Sequence, residues 1–91
     1  MTFKATLKAM YADVPVKLCG ATAKQLYYQG HEYTRISSVA KGRDIKGNNY
    51  DACTVVKEIN GRCNTCIHVD VKDVEVADSV PEEIRREIYS E

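Results

Sequence analysis

Asn60-Gly61 is the feature that most narrows what this chain can fold into. It sits between two long β-prone runs, Tyr50 to Ile59 and Arg62 to Val71. Both central residues of a type I′ turn need a positive φ, and Asn-Gly supplies it with least strain. A two-residue turn also fixes the register of the hairpin. Ile59 then faces Arg62, Glu58 faces Cys63, Val56 faces Thr65, Val55 faces Cys66, Thr54 faces Ile67 and Cys53 faces His68. Alternation puts Ala52, Thr54, Val56, Cys63, Thr65, Ile67 and Val69 on one face, the expected core face. Cys53, Val55, Lys57, Asn64, Cys66 and His68 share the other.

Shorter elements surround this hairpin. Phe3, Leu7, Met10 and Tyr11 recur at helical spacing behind Thr2, a candidate N-cap. Two turns of helix are unstable alone in water, so the helix needs a surface to dock on. Pro15 ends it, because Val14 is pushed out of the helical region. Val14, Val16 and Leu18 then alternate as a strand. Leu26 to Tyr28 and Tyr33 to Val39 flank Gly30 and read as a second hairpin. Lys41 to Asn49 reads as a polar loop. Asp70 to Asp73 reads as a turn before a last strand, Val74 to Val76. Ser79-Val80-Pro81-Glu82 resembles a capping box that opens a final helix with Ile84 and Ile88 on its apolar stripe.

The order is helix, short strands, helix. It predicts one α+β domain over residues 1–91, built on a small twisted antiparallel sheet or an SH3-like, partly open barrel with a helix at each end. A chain of 91 residues is too short for the large enzyme folds, which need about 250 residues for a TIM barrel. Its 13 basic and 13 acidic residues cancel, which argues against a strongly basic nucleic-acid binder. No apolar run has the length of a membrane span. No signal peptide is visible, so cytoplasmic placement with reduced cysteines is expected.

Cys63-Asn64-Thr65-Cys66 suggests half of a zinc site, completed by Cys19, Cys53, His31 or His68, with Cys53 and His68 the favoured pair. One C-x-x-C is weak, and on a regular strand its two cysteines point to opposite faces. No metal or other cofactor is expected. Cys53 beside His68 also suggests an activated thiolate. No motif supplies an orienting carboxylate or an oxyanion site, so the chain reads as non-enzymatic. The alternative is that the N-terminal helix covers this face and the cysteines act as small buried hydrophobes.

Binding is the better reading of the surface. Tyr27 and Tyr28 lie on opposite faces if extended, so at least one is exposed or covered by another element; an exposed one would offer a partner surface along with His31. Tyrosine offers large contact area at low entropic cost. Arg35, Lys41, Arg43 and Lys46 form a second candidate, a basic stretch with glycines that suits a small anionic ligand or a nucleic-acid backbone. An exposed sheet edge would also admit a homodimer.

Two segments carry a resemblance: Phe3 to Val16, a short helix running into a Val-x-Val strand, and Leu26 to Tyr33 with its Tyr-Gln-Gly-His-Glu-Tyr sequence. In these the chain resembles the small accessory proteins of phages and other mobile elements. The resemblance implies stoichiometric binding to another protein, for example inhibition of a host-defence nuclease, or sequestration of a ligand. It transfers no functional residue.

Overall fold

A computed structural model describes residues 1–20, 28 and 30–90 of the chain. Among the described residues, two three-stranded antiparallel sheets carry the fold, flanked by two helices. The expected α+β architecture is present, and the sheets do not close into a barrel. The strands are β1 (Val16–Leu18), β2 (Glu32–Tyr33), β3 (Arg35–Arg43), β4 (Asn49–Ile59), β5 (Arg62–Asp70) and β6 (Val74–Val76). One sheet has the order β2-β1-β6 and the other β3-β4-β5. Thr34 joins β2 to β3, so one bent stretch of chain serves both sheets. A 3-10 turn at Val71–Asp73 leads into β6, which returns to pair with β1.

Helix α1 (Phe3–Ala12) begins as expected, with the Thr2 side chain accepting from the Ala5 N–H at 3.1 Å. It ends at Asp13 in the left-handed region, φ 55. Its buried face differs from the expected stripe. Ala5, Thr6 and Ala9 are buried, while Tyr11 is 81% exposed. Small side chains let the helix axis approach β3 and β4 closely, which a Phe-Leu-Tyr stripe would prevent. The Thr6 hydroxyl turns back to the Thr2 carbonyl at 2.6 Å, so its burial leaves no donor unpaired.

The Asn60-Gly61 turn has φ of 53 and 77, as a type I′ turn requires. The expected register holds for Ile59–Arg62 and Glu58–Cys63, then slips by one residue. Asn64 is the extra residue of a β-bulge, and beyond it Lys57 faces Thr65. Cys53 therefore faces Val69, and His68 faces Thr54. The slip exchanges the faces of β4. Cys53 and Val55 join Ile67 and Val69 in the core cluster, while Thr54 and Val56 lie on the other face, where Val56 is still buried. Helix α1 covers this face, as the docking argument expected.

Four smaller expectations are revised. The stretch Glu32–Tyr33 pairs with β1, where Val16 sits opposite Tyr33; residues 26 and 27 of the expected hairpin lie outside the described residues. Lys41, Gly42 and Arg43 belong to β3, so the polar loop is only residues 44–48. Helix α2 (Glu82–Tyr89) starts after Pro81 with no side-chain cap, so the capping box does not form. Pro81 already presets a backbone angle suited to the helix start. Ile88 is buried but Ile84 is 41% exposed, so the docking stripe is narrower than expected. The Lys8 ammonium of α1 donates to the Glu87 and Ser90 carbonyls, placing a cation at the C-terminal end of α2.

Candidate binding surface

Tyr28 and His31 meet on the approach to β2. Their rings form a T-shaped pair with centroids 5.9 Å apart and planes at 89°. The backbone fixes this arrangement. The Gly30 N–H donates to the Leu18 carbonyl at 2.9 Å, and the His31 N–H donates to the Tyr28 carbonyl at 3.0 Å. Gly30 has φ 80, which a residue with a Cβ adopts only with strain. Tyr28 is half-buried against the core, while His31 is exposed. Tyr33 is buried, and burial pushes its phenol above the usual value. Tyr27 lies outside the described residues.

The basic candidates divide into two pairs. Arg35 donates from Nε to Glu58 at 2.6 Å, and Lys41 reaches Asp51 at 3.1 Å. The Lys41 ammonium also lies 4.5 Å from the centroid of the Phe3 ring. Both cations thus have carboxylate partners. Arg43 and Lys46 are exposed and make no ion pair among the described residues. Between them, Asp44 builds the loop. Its carboxylate accepts from the Lys46 and Asn48 main-chain N–H groups, each at 2.9 Å, and from the Asn48 amide at 3.3 Å. These bonds, led by that from the Asn48 N–H, hold its carboxyl below the usual range. A cleft of about 420 Å³ next to this loop is lined by Lys41, Asn49, Tyr50 and Asp51. Its one cation and one anion face each other, so it offers no net charge to an anion.

The cysteines do not assemble into the four-residue metal set. Cys53 is buried on the core face, while Cys66 and His68 lie on the opposite face. Among the described residues no three His, Cys, Asp or Glu side chains converge for a metal ion. Burial pushes the Cys53 thiol up to about 12, so it behaves as a small hydrophobe. The Cys53–His68 pair does not form either. His68 instead places Nδ1 3.2 Å from the Thr54 hydroxyl. The bulge has a second effect that sequence spacing hid. Cys63 faces Glu58 and Cys66 faces Val56, two positions on the same side of β4, so the two cysteines share a face. Both are exposed, as is Cys19, whose thiol is raised first by desolvation and then by Glu75.

Among the described residues no helix is long and apolar enough to cross a membrane. Compared with protein-family models, curated proteins and solved structures, the chain has no match.

Proposed function

We propose that this chain is a non-catalytic binding protein that recognises another protein through the surface around Tyr28 and His31. The observation that supports this reading is the T-shaped ring pair. Tyr28 packs half-buried against the core, and the exposed His31 meets it on a backbone held by two hydrogen bonds. A pre-organised aromatic contact loses little entropy on binding. The sequence's likeness to phage and mobile-element accessory proteins extends the proposal to stoichiometric inhibition of a host protein. The basic stretch is the weaker surface for an anion, because Arg35 and Lys41 are matched by Glu58 and Asp51.

The test is affinity capture with the parent and with His31→Ala, a substitution at an exposed side chain that leaves the core intact. A captured protein that binds the parent in one-to-one ratio and is lost with His31→Ala supports the proposal. Equal capture by both chains removes the surface. Binding of a nucleic-acid probe that weakens steeply with salt would replace the protein partner by a phosphate backbone.

A further inference from the structure

The edges of the two sheets are not treated alike. At β6, the Met1 ammonium donates to the Val71 and Val74 carbonyls at 2.8 and 2.9 Å. The Val76 N–H donates to the Tyr89 hydroxyl at 3.0 Å, and Arg85 donates to the Val76 and Ala77 carbonyls. Strand β3 carries a bulge between Ile36 and Ser38 and the cations Lys41 and Arg43, and β2 is only two residues long. Strand β5 is the exception. It runs for nine residues, and among the described residues β4 is the element that packs along it.

The register shows which of its groups face out. The Thr34 N–H donates to the Val56 carbonyl at 2.9 Å, so Val56 is bonded towards the β3 side. Bonding alternates along an antiparallel strand, so Lys57, Val55 and Cys53 bond towards β5. Their partners Thr65, Ile67 and Val69 turn their main chain inward. Cys66, His68 and Asp70 turn theirs outward. Natural monomers blunt such an edge with lysine, proline or a bulge. Here Asn64 blunts the half near the turn, but residues 65–70 carry no lysine, arginine or proline.

We propose that two copies of the chain pair along β5, antiparallel about a two-fold axis at His68, joining two three-stranded sheets into one of six strands. Cys66 of each copy then faces Asp70 of the other, and the two His68 residues face each other. Three outward residues per copy exchange about six main-chain hydrogen bonds. Ile67 faces Val69 of the other copy, so apolar meets apolar and the cores continue from one sheet into the next. A second copy suits this edge better than a charged partner strand. The chain has no net charge to repel its twin, and the segment holds one carboxylate and one imidazole. A strand paired with itself antiparallel is self-complementary, which closed two-fold symmetry requires.

The test combines native mass spectrometry over a concentration series with amide hydrogen exchange. The parent should approach twice 10.2 kDa on concentration. Exchange at the Cys66, His68 and Asp70 amides should slow with it, while Ile67 and Val69 stay unchanged. His68→Pro removes one outward donor and no main-chain bond to β4, though it loses the side-chain contact with the Thr54 hydroxyl. It should keep the parent's circular dichroism and weaken association at least tenfold. Should His68→Pro fail to fold, His68→Lys, which sets two cations on the axis, should weaken association likewise. A parent that stays monomeric at every concentration overturns the proposal. So does a dimer in which exchange at residues 66, 68 and 70 does not respond.

Discussion

Gly20→Ala pits two effects of opposite sign against each other. Gly20 is buried and its φ lies outside the left-handed region, so alanine is allowed by the backbone. Restricting the unfolded chain would then stabilise the protein by about 0.4–1 kcal/mol. The native state answers in the other direction. A Cβ on residue 20 would lie 2.4 Å from Asp73 Cγ and 2.6 Å from Asp73 Cβ. Asp73 cannot simply swing away, since it is itself buried and its carbonyl accepts from the Cys19 N–H at 2.9 Å. Overpacking of this kind costs about 1–3 kcal/mol. The steric cost wins, leaving a net loss of about 1–2 kcal/mol, or about 5–15 °C in Tm for a domain this size. Urea and thermal unfolding followed by circular dichroism would measure it. A double-mutant cycle locates the cause. Asp73→Ala retains the Cβ and should relieve Gly20→Ala only in part, whereas Asp73→Gly should relieve it fully. A Gly20→Ala protein as stable as the parent, or more so, would refute the reasoning, as would equal relief by both partners.

Three further outcomes are expected. In a thiol titration of the native protein, Cys63 and Cys66 should react promptly and Cys19 more slowly, while Cys53 should react only on unfolding; mass spectrometry of the labelled chain would identify each. Asp44 contributes stability that is present above the ordinary carboxylate pKa of about 4 and lost as pH falls through its lower folded value. Asp44→Ala should therefore be less stable than the parent at neutral pH and converge with it in acid, as read by urea midpoints across pH. Arg85→Ala removes two bonds to carbonyls at the end of β6 and should cost about 1–3 kcal/mol, with faster amide exchange at residues 74–77.

How far the fold was legible depended on where local chemistry speaks. Asn60-Gly61 fixed the turn and its first two residue pairs. The bulge at Asn64 carries no glycine or proline to mark it, and one extra residue was enough to exchange the faces of β4. Cys53 and Val55 consequently took the places in the main cluster expected for Thr54 and Val56. The docking face of α1 was hidden for another reason: hydrophobic patterning weighs side-chain size, whereas close packing on a sheet selected Ala5, Thr6 and Ala9. At the candidate surface, Tyr28 and His31 were legible as residues, but their ring contact depends on the Gly30 and Leu18 backbone. The neutralising partners of Arg35 and Lys41 follow from the β3–β4 register, which the polar composition of residues 41–49 hides by resembling a loop.

The return of β6 to β1 bears on how the chain assembles during synthesis. Hairpin β4–β5 is local and can form as soon as it leaves the ribosome. Strand β1 cannot complete its sheet until Val74, Glu75 and Val76 have emerged. Lys8 likewise finds its carbonyls only when Glu87 and Ser90 exist. At about 5–20 residues per second, the first segment waits several seconds for the last. Throughout that interval Val16 and Leu18 are uncovered on one side, so this short apolar stretch is where a nascent-chain chaperone would find its purchase.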